Sequence, residues 1–172
     1  MLNIIDKLKL RIIFSVFSLV IFSLFFVGKA SAATLSVSPN NATVSVGNII
    51  SVRVVTNTQG ESINNAEATV QFPSDLLEVV SVNNGGFIQA DFPVQNSFDN
   101  TAGTIDYAIA QPNGTPINGS GTLLEVVFRA KASGNSPIYF QETQAAPTGI
   151  LLSDSNGSSI KASLANGGAS VQ

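Results

Sequence analysis

The sequence predicts an all-β domain, a two-sheet β-sandwich or jelly roll of nine or ten short strands. Three observations lead to this fold class. Short runs of alternating apolar and polar residues recur at intervals of roughly ten residues after residue 33. Segments rich in Gly, Pro and Asn separate these runs. No run of about ten residues has the period of an amphipathic helix, so short strands packed in two sheets are the expected architecture.

The N-terminal segment is typical of a secretory signal. Three basic residues precede an uncharged run, and a triplet of small residues follows it: Lys7, Lys9 and Arg11, then Ile12 to Gly28, then Ala30-Ser31-Ala32. We therefore expect residues 1–32 to be a cleaved signal peptide, which would place the protein outside the cell or at its surface. The alternative is an uncleaved anchor, since this run would span about 25 Å as a helix. Contact with a membrane is expected only through this segment.

The remaining residues, 33–172, form one domain of ordinary size by sequence. They contain no Cys, no His and no Trp. Four basic residues, Arg53, Arg129, Lys131 and Lys161, stand against ten acidic ones. Phosphate binding needs clustered Lys and Arg, so nucleic acid is not an expected partner. The lack of cysteine removes disulfides, thiol nucleophiles and thiolate metal sites, and we expect no cofactor and no bound metal.

Before residue 60 the alternation predicts three strands. They are Thr34 to Ser38, Thr43 to Val46, and Ile49 to Thr56. Pro39-Asn40-Asn41 separates the first two, because proline lacks a ladder donor and Asn favours turns. In the third run Ile50, Val52 and Val54 share one face, which should point to the core.

The clearest alternation lies in the stretch from Ile63 to Val82. One set of alternate residues is mostly small and apolar: Asn64, Ala66, Ala68, Val70 and Phe72. The other set is polar: Asn65, Glu67, Thr69 and Gln71. Such alternation predicts a half-buried strand. Pro73-Ser74-Asp75 should end it with a turn, which could be helical, before a second strand reaches Val82.

The second half of the domain continues the pattern. Its predicted strands are Asp91 to Asp99, Gly103 to Ala110, Thr122 to Lys131, Ser136 to Gln141, Ile150 to Leu152 and Ile160 to Leu164. Pro93 places the first of these at a sheet edge. Gln111 to Gly121 should be a surface loop. Asp154-Ser155-Asn156-Gly157 is interpreted as a hairpin turn and not as a calcium loop, because the further spaced acids are missing.

Four motifs, in their order along the chain, resemble the cohesin domain family. They are Val46-Gly47, Ile50 to Val54, Phe72-Pro-Ser-Asp-Leu-Leu77-Glu-Val79, and Gly121-Thr-Leu-Leu-Glu-Val-Val-Phe128-Arg-Ala-Lys131. The resemblance covers residues 35 to 165. It implies a jelly-roll sandwich of about nine strands, similar to that of some cellulose-binding modules. This chain has Phe72-Pro73-Ser74 where cohesins commonly have Tyr-Asp-Pro, so the resemblance does not assign a cohesin type.

The resemblance also implies a function. Cohesins are non-catalytic modules that bind dockerin modules and so assemble secreted polysaccharide-degrading enzymes. The calcium of such a pair belongs to the dockerin. The Asn-x-Asp of well-known cohesins matches Asn65-Ala66-Glu67 here. We therefore predict a partner-binding face formed by Asn65, Glu67, Thr69 and Gln71; the alternative is that these residues are only a solvated sheet face.

Other functions remain open from the residues alone. An enzyme is disfavoured, because triads and imidazole metal sites need residues that are missing, and a carboxylate pair such as Asp91 and Asp106 is more simply explained as turn and rim charges. Direct polysaccharide binding would need a row of exposed rings, for which Phe87, Phe92 and Phe98 are the candidates. A structural or adhesive surface domain is the third possibility.

Overall fold

The computed structural model describes Asn3 and residues 33–90, 93–111, 114–141, 150–153, 159–160 and 162–172. The predicted signal peptide (apart from Asn3), Asp91, Phe92 and the predicted turn at 154–157 lie outside the described residues. Contacts within the chain group Ala32–Gln172 as one compact unit. No helix within the described residues is long and apolar enough to cross a lipid bilayer.

The described residues form thirteen strands. In chain order they are β1 (Ala33–Ser38), β2 (Ala42–Val44), β3 (Ile49–Asn57), β4 (Asn65–Gln71), β5 (Leu77–Asn84), β6 (Gln95–Asp99), β7 (Thr104–Ala110), β8 (Ser120–Ala130), β9 (Gly134–Phe140), β10 (Ile150–Ser153), β11 (Ser159–Ile160), β12 (Ala162–Ala165) and β13 (Gly167–Val171). This confirms the all-β prediction. The number exceeds the predicted nine or ten partly because the predicted strand from Ile160 to Leu164 overlaps two short strands, β11 and β12, and because β13 is additional.

Two sheets make up the sandwich. The five-stranded sheet has the order β12-β1-β3-β8-β5. The eight-stranded sheet has the order β11-β10-β4-β9-β13-β2, and β7 and β6 extend it beyond β4. The β1–β12 and β13–β2 pairs are parallel, and the other pairs are antiparallel. The strand β4 therefore lies inside its sheet, with β7 on one side and β10 and β9 on the other.

The hydrophobic core lies between the sheets, on the faces that the alternation predicts. Ala66, Ala68, Val70 and Phe72 are buried from β4 and its end, and their neighbours come from the other predicted core faces: Ile105, Tyr107 and Ile109 of β7, and Leu124, Val126, Phe128 and Ala130 of β8. The rings of Phe72 and Phe128 meet edge to face, with their centroids 5.2 Å apart. Such a contact stabilises the core beyond simple burial.

Two local features hold the end of β4 against its neighbours. Leu77 donates its backbone N–H to Pro73 at 2.9 Å, which closes the single helical turn that the sequence predicts between β4 and β5. Gly103, just before β7, has φ +71°, and its lack of a side chain leaves room for the backbone of Phe72. A Cβ at Gly103 would lie 2.2 Å from the Phe72 carbonyl oxygen, so only glycine fits.

The last strand, β13, is missing from the sequence prediction. It pairs with β9 on one side and β2 on the other, and it buries Ala169 and Val171. Gly167 and Gly168 precede these two residues and hide the alternation. A Cβ at Gly168 would lie 2.8 Å from the Ser136 carbonyl oxygen, so the glycine permits the close approach of β9.

Candidate binding face

The candidate site is the outward surface of β4, β7 and β6, which we call the β4 face. Residues that are paired directly across antiparallel strands point to the same side of the sheet. The pairing places four residues of β4 beside four of β7 and three of β6: Asn65, Glu67, Thr69 and Gln71; Thr104, Asp106, Ala108 and Ala110; and Gln95, Ser97 and Asp99. The structure therefore brings the four predicted residues together on one face, as the alternation requires.

The four predicted residues differ in how far they reach solvent. Asn65, Glu67 and Gln71 are partly exposed, whereas Thr69 is only 6% exposed. Its Oγ1 donates a hydrogen bond of 3.2 Å to Oδ1 of Asp106 on β7. Thr69 lies where β4 changes its neighbour from β10 to β9, so strands flank it on both sides. Its hydroxyl consequently orients the Asp106 carboxylate and is itself largely covered.

A shallow hollow of about 180 Å³ lies at one end of the β4 face. Asn65 and Glu67 form one wall, Ala108 and Ala110 contribute short side chains, and Val94 stands at the rim with 70% of its surface exposed. The hollow exists because alanine leaves space that a longer residue on β7 would fill. Its dimensions suit a single side chain of a partner and not a whole small-molecule ligand.

Asn65 offers an unused acceptor beside this hollow. Its Oδ1 is buried and accepts no hydrogen bond from any described residue. A buried carbonyl oxygen without a donor is unfavourable by about 1–3 kcal/mol. A partner that supplied a donor, after a small rotation of the carboxamide, would remove this penalty.

The β4 face is acidic. Glu67, Asp106 and Asp99 lie on it, and none of its described residues is basic. Oδ1 of Asp99 accepts hydrogen bonds from the backbone N–H groups of Ala102 at 3.0 Å and Thr101 at 2.6 Å. These bonds hold the pKa of Asp99 below its ordinary value, and the bond from Ala102 has the largest effect. This carboxylate therefore stays charged under mildly acidic conditions.

The features that would favour the other functions are not assembled in the described part of the chain. Phe87 packs against the core, and Phe98 is 43% exposed at the edge strand β6. These two rings do not form a row, and Phe92 lies outside the described residues. Asp106 bonds to Thr69, while its proposed carboxylate partner Asp91 is likewise outside. Among the described residues no three acidic side chains are close enough to hold a metal ion.

Sequence reasoning found the β4 residues of the site but missed those of β7. Asp106 and Ala108 alternate with Ile105, Tyr107 and Ile109, so their outward direction could have been predicted. Their place beside Thr69 and Glu67 depends on the pairing of strands that are distant in sequence. Val94 gave no signal at all, because it follows Pro93 in an irregular segment.

The fold and this surface define an all-β sandwich with one broad, polar and acidic sheet face. The family model of the cohesin domain matches residues 35–171. The chain therefore belongs to the cohesin domain family. Comparison with curated protein sequences finds no significant relative.

Solved structures of cohesins share the fold. A non-cellulosomal cohesin from the archaeon Archaeoglobus fulgidus is 23% identical, with a TM-score of 0.65 over 83% of this chain and 92% of that one. A type II cohesin from the cellulosome of Acetivibrio cellulolyticus is 19% identical, with a TM-score of 0.66 over 78% and 92%. A type I cohesin–dockerin complex from Clostridium thermocellum is 15% identical, with a TM-score of 0.68 over 83% and 100%. At these identities the likeness shows the fold and carries no residue-level assignment.

Proposed function

We propose that this protein is a non-catalytic, secreted cohesin module that binds a dockerin-type protein module through its β4 face. The observation that carries the proposal is the cohesin family match over residues 35–171. Similar structures include cohesin–dockerin complexes from Clostridium thermocellum and Acetivibrio cellulolyticus. The β4 face adds a surface with the required character, because it is polar and because Ala108 and Ala110 leave room on it for a partner side chain.

Each part of the β4 face has a distinct role in this proposal. Glu67 supplies a carboxylate near the centre, and Asn65 and Gln71 supply amide groups on either side of it. The hollow beside Ala108 accepts one partner side chain. Asp106, oriented by Thr69, extends the negative charge. Opposite charges steer association, so a basic patch on the dockerin would complement this face. Any calcium in the complex belongs to the dockerin.

Binding to a panel of dockerin modules, measured by isothermal titration calorimetry, tests the proposal. For a dockerin that binds, Glu67→Lys should weaken the affinity at least tenfold, because it reverses charge at the centre of the face, and Asn65→Ala should weaken it less. Glu78→Lys is the matched control: it makes the same charge change on β5, in the opposite sheet. Equal effects of Glu67→Lys and Glu78→Lys, or no effect of either, would refute the assignment of the face.

The wider biological role is also a proposal. A cohesin module that carries a secretory signal would act outside the cell, in the assembly of polysaccharide-degrading complexes or at the cell surface. The relative from Archaeoglobus fulgidus is described as non-cellulosomal, so family membership alone does not select the cellulosome. Sequencing the N-terminus of the exported protein tests secretion: a start near Ala33 supports it, and a start at Met1 or Leu2 opposes it. Retention on insoluble polysaccharide without any dockerin binding would favour the carbohydrate-binding alternative instead.

A further inference from the structure

The opposite side of the sandwich carries a second organised surface, the outward face of β3, β8 and β5, which we call the outer face. Strand pairing arranges its residues in three rows across the sheet: Ile49, Arg129 and Glu78; then Ser51, Val127 and Ser81; then Arg53, Glu125 and Asn83. The central strand β8 thus presents Glu125, Val127 and Arg129 along its length. A negative and a positive charge lie symmetrically on either side of an apolar residue.

Ion pairs within the chain hold the charged side chains of the outer face in place. Nε of Arg53 lies 3.2 Å from Oε1 of Glu125, and Nη1 of Arg129 lies 2.7 Å from Oε1 of Glu78. All four side chains remain substantially exposed, between 30% and 59%. Exposed pairs of this kind stabilise a monomer only slightly. Each charge therefore retains the capacity to interact with a further opposite charge above the sheet.

Apolar side chains are exposed between these charges. Ile49 is 56% exposed and Val80 is 43% exposed. Val80 protrudes because the pairing of β5 with β8 shifts between Val79 and Ser81, which leaves one extra residue at a β-bulge. Val127 lies half-buried at the centre of the face. These three side chains give the outer face an apolar component between its charges, which a partner could cover.

The charge pattern along β8 is complementary to itself. Consider a two-fold axis that runs parallel to the sheet, about 5 Å outside it and above Val127, and that is perpendicular to β8. It places β8 antiparallel over β8 of a second copy, with Val127 on Val127. Arg129 then lies over Glu125 of the second copy, and Glu125 over its Arg129. Facing sheets pack about 10 Å apart, a separation that Arg and Glu side chains can bridge. A two-fold interface repeats each such contact twice.

We propose that two copies of this protein associate back to back through their outer faces, with Val127 at the two-fold axis and Arg129 paired with Glu125 across it. Three strands at about 4.8 Å spacing and five residues at about 3.3 Å each give on the order of 240 Å² per copy. This is below the roughly 800 Å² per partner of a stable complex, so the dimer is weak and sensitive to salt. Both β4 faces point away from the interface, which makes the dimer bivalent for partners of the β4 face.

Sedimentation velocity of the Ala32–Gln172 unit over a wide concentration series tests this proposal. We expect a reversible monomer–dimer equilibrium that weakens at high salt. Arg129→Glu and Glu125→Arg should each weaken dimerisation at least tenfold, because each brings like charges together at the two-fold axis. The double variant Glu125→Arg with Arg129→Glu restores opposite charges across the axis and should recover dimerisation. Within each chain it turns the contacts with Arg53 and Glu78 into like-charge contacts, which should cost little because these side chains are exposed. Circular dichroism confirms that each variant is folded.

The outcomes separate this proposal from simpler ones. A protein that stays monomeric at the highest attainable concentration overturns it. A dimer that persists in both single variants uses another surface and also overturns it. Loss of the dimer in the single variants without recovery in the double variant overturns the proposed pairing of Arg129 with Glu125. Dockerin binding by Arg129→Glu should be unchanged in every case, because that residue lies on the sheet opposite the β4 face.

Discussion

Asn100 should be one of the most important polar residues for stability, although it lies in a turn between β6 and β7. Its Oδ1 accepts a hydrogen bond of 2.7 Å from the backbone N–H of Val79, and its Nδ2 donates one of 3.0 Å to the Val79 carbonyl oxygen. Val79 belongs to β5, the last strand of the five-stranded sheet. The carboxamide therefore pairs with the free edge of β5 as a further strand would, and links the two sheets.

The magnitude follows from these two bonds. A hydrogen bond within a protein contributes about 0.5–1.5 kcal/mol net, so Asn100→Ala should lower the free energy of unfolding by about 1–3 kcal/mol. Val79 is buried, which limits replacement of the lost partner by water. Asn83→Ala is the matched control, because Asn83 is exposed and its Nδ2 donates a hydrogen bond of 3.3 Å to Oγ of Ser81, a nearby residue of the same strand. It should change stability by less than about 0.5 kcal/mol.

Urea unfolding followed by circular dichroism measures both variants. Asn100→Asp adds a second test, because it keeps the acceptor for the Val79 N–H but turns a carboxylate toward the Val79 carbonyl oxygen. It should be destabilised at neutral pH and approach the wild type in acid, where a protonated carboxyl can again donate. Two results would show that the hydrogen bonds between Asn100 and Val79 contribute little to stability. One is a free energy of unfolding of Asn100→Ala within about 0.5 kcal/mol of the wild type. The other is a difference in stability between Asn100→Asp and the wild type that does not change with pH.

Three further predictions concern the core and the turn before β7. Tyr107→Phe should leave the free energy of unfolding unchanged or raise it by about 1 kcal/mol, because the Tyr107 hydroxyl is buried without a partner among the described residues. A free energy of unfolding lowered by more than about 1 kcal/mol in urea would show that the hydroxyl has a hydrogen-bond partner. Burial raises the pKa of Tyr107 to about 12, above its ordinary value near 10. The free energy of unfolding of the wild type should therefore fall as pH rises from 10 toward 12, because the unfolded chain loses this proton first. Urea unfolding across this pH range should show a smaller fall for Tyr107→Phe. Gly103→Ala should destabilise the domain by at least about 2 kcal/mol, because it combines a positive φ with a Cβ pressed against the Phe72 carbonyl; a thermal midpoint equal to that of the wild type would contradict this.

The alternation of β4 and β8 could be predicted from sequence because it is local. Successive side chains in a strand point to opposite faces, so the pattern alone places Phe72 and Phe128 in the core and Glu67 on the surface. The edge position of β6 was also predictable, because Pro93 cannot donate to a ladder. The burial of the two rings confirms the first prediction, and the pairing of β6 with β7 alone among the described strands confirms the second.

The remaining features depend on contacts between distant parts of the chain. The polar face of β4 predicted Thr69 as an open position, but its burial follows from the strands that flank it and from its bond to Asp106. The pairing of Asn100 with Val79 uses a side chain in place of a strand, which no periodicity reveals. The sequence does not predict strand β13, because its glycines, which allow close packing against β9, are also typical of loops.

The central claim, that the β4 face binds a dockerin-type module, is tested most directly by mapping the bound surface. Amide hydrogen exchange of the protein with and without a dockerin that binds it reports which strands become protected. We expect added protection in β4, β7 and β6, from Asn65–Gln71, Thr104–Ala110 and Gln95–Asp99. Protection confined to β3, β8 and β5, with the β4 face unchanged, would contradict the claim.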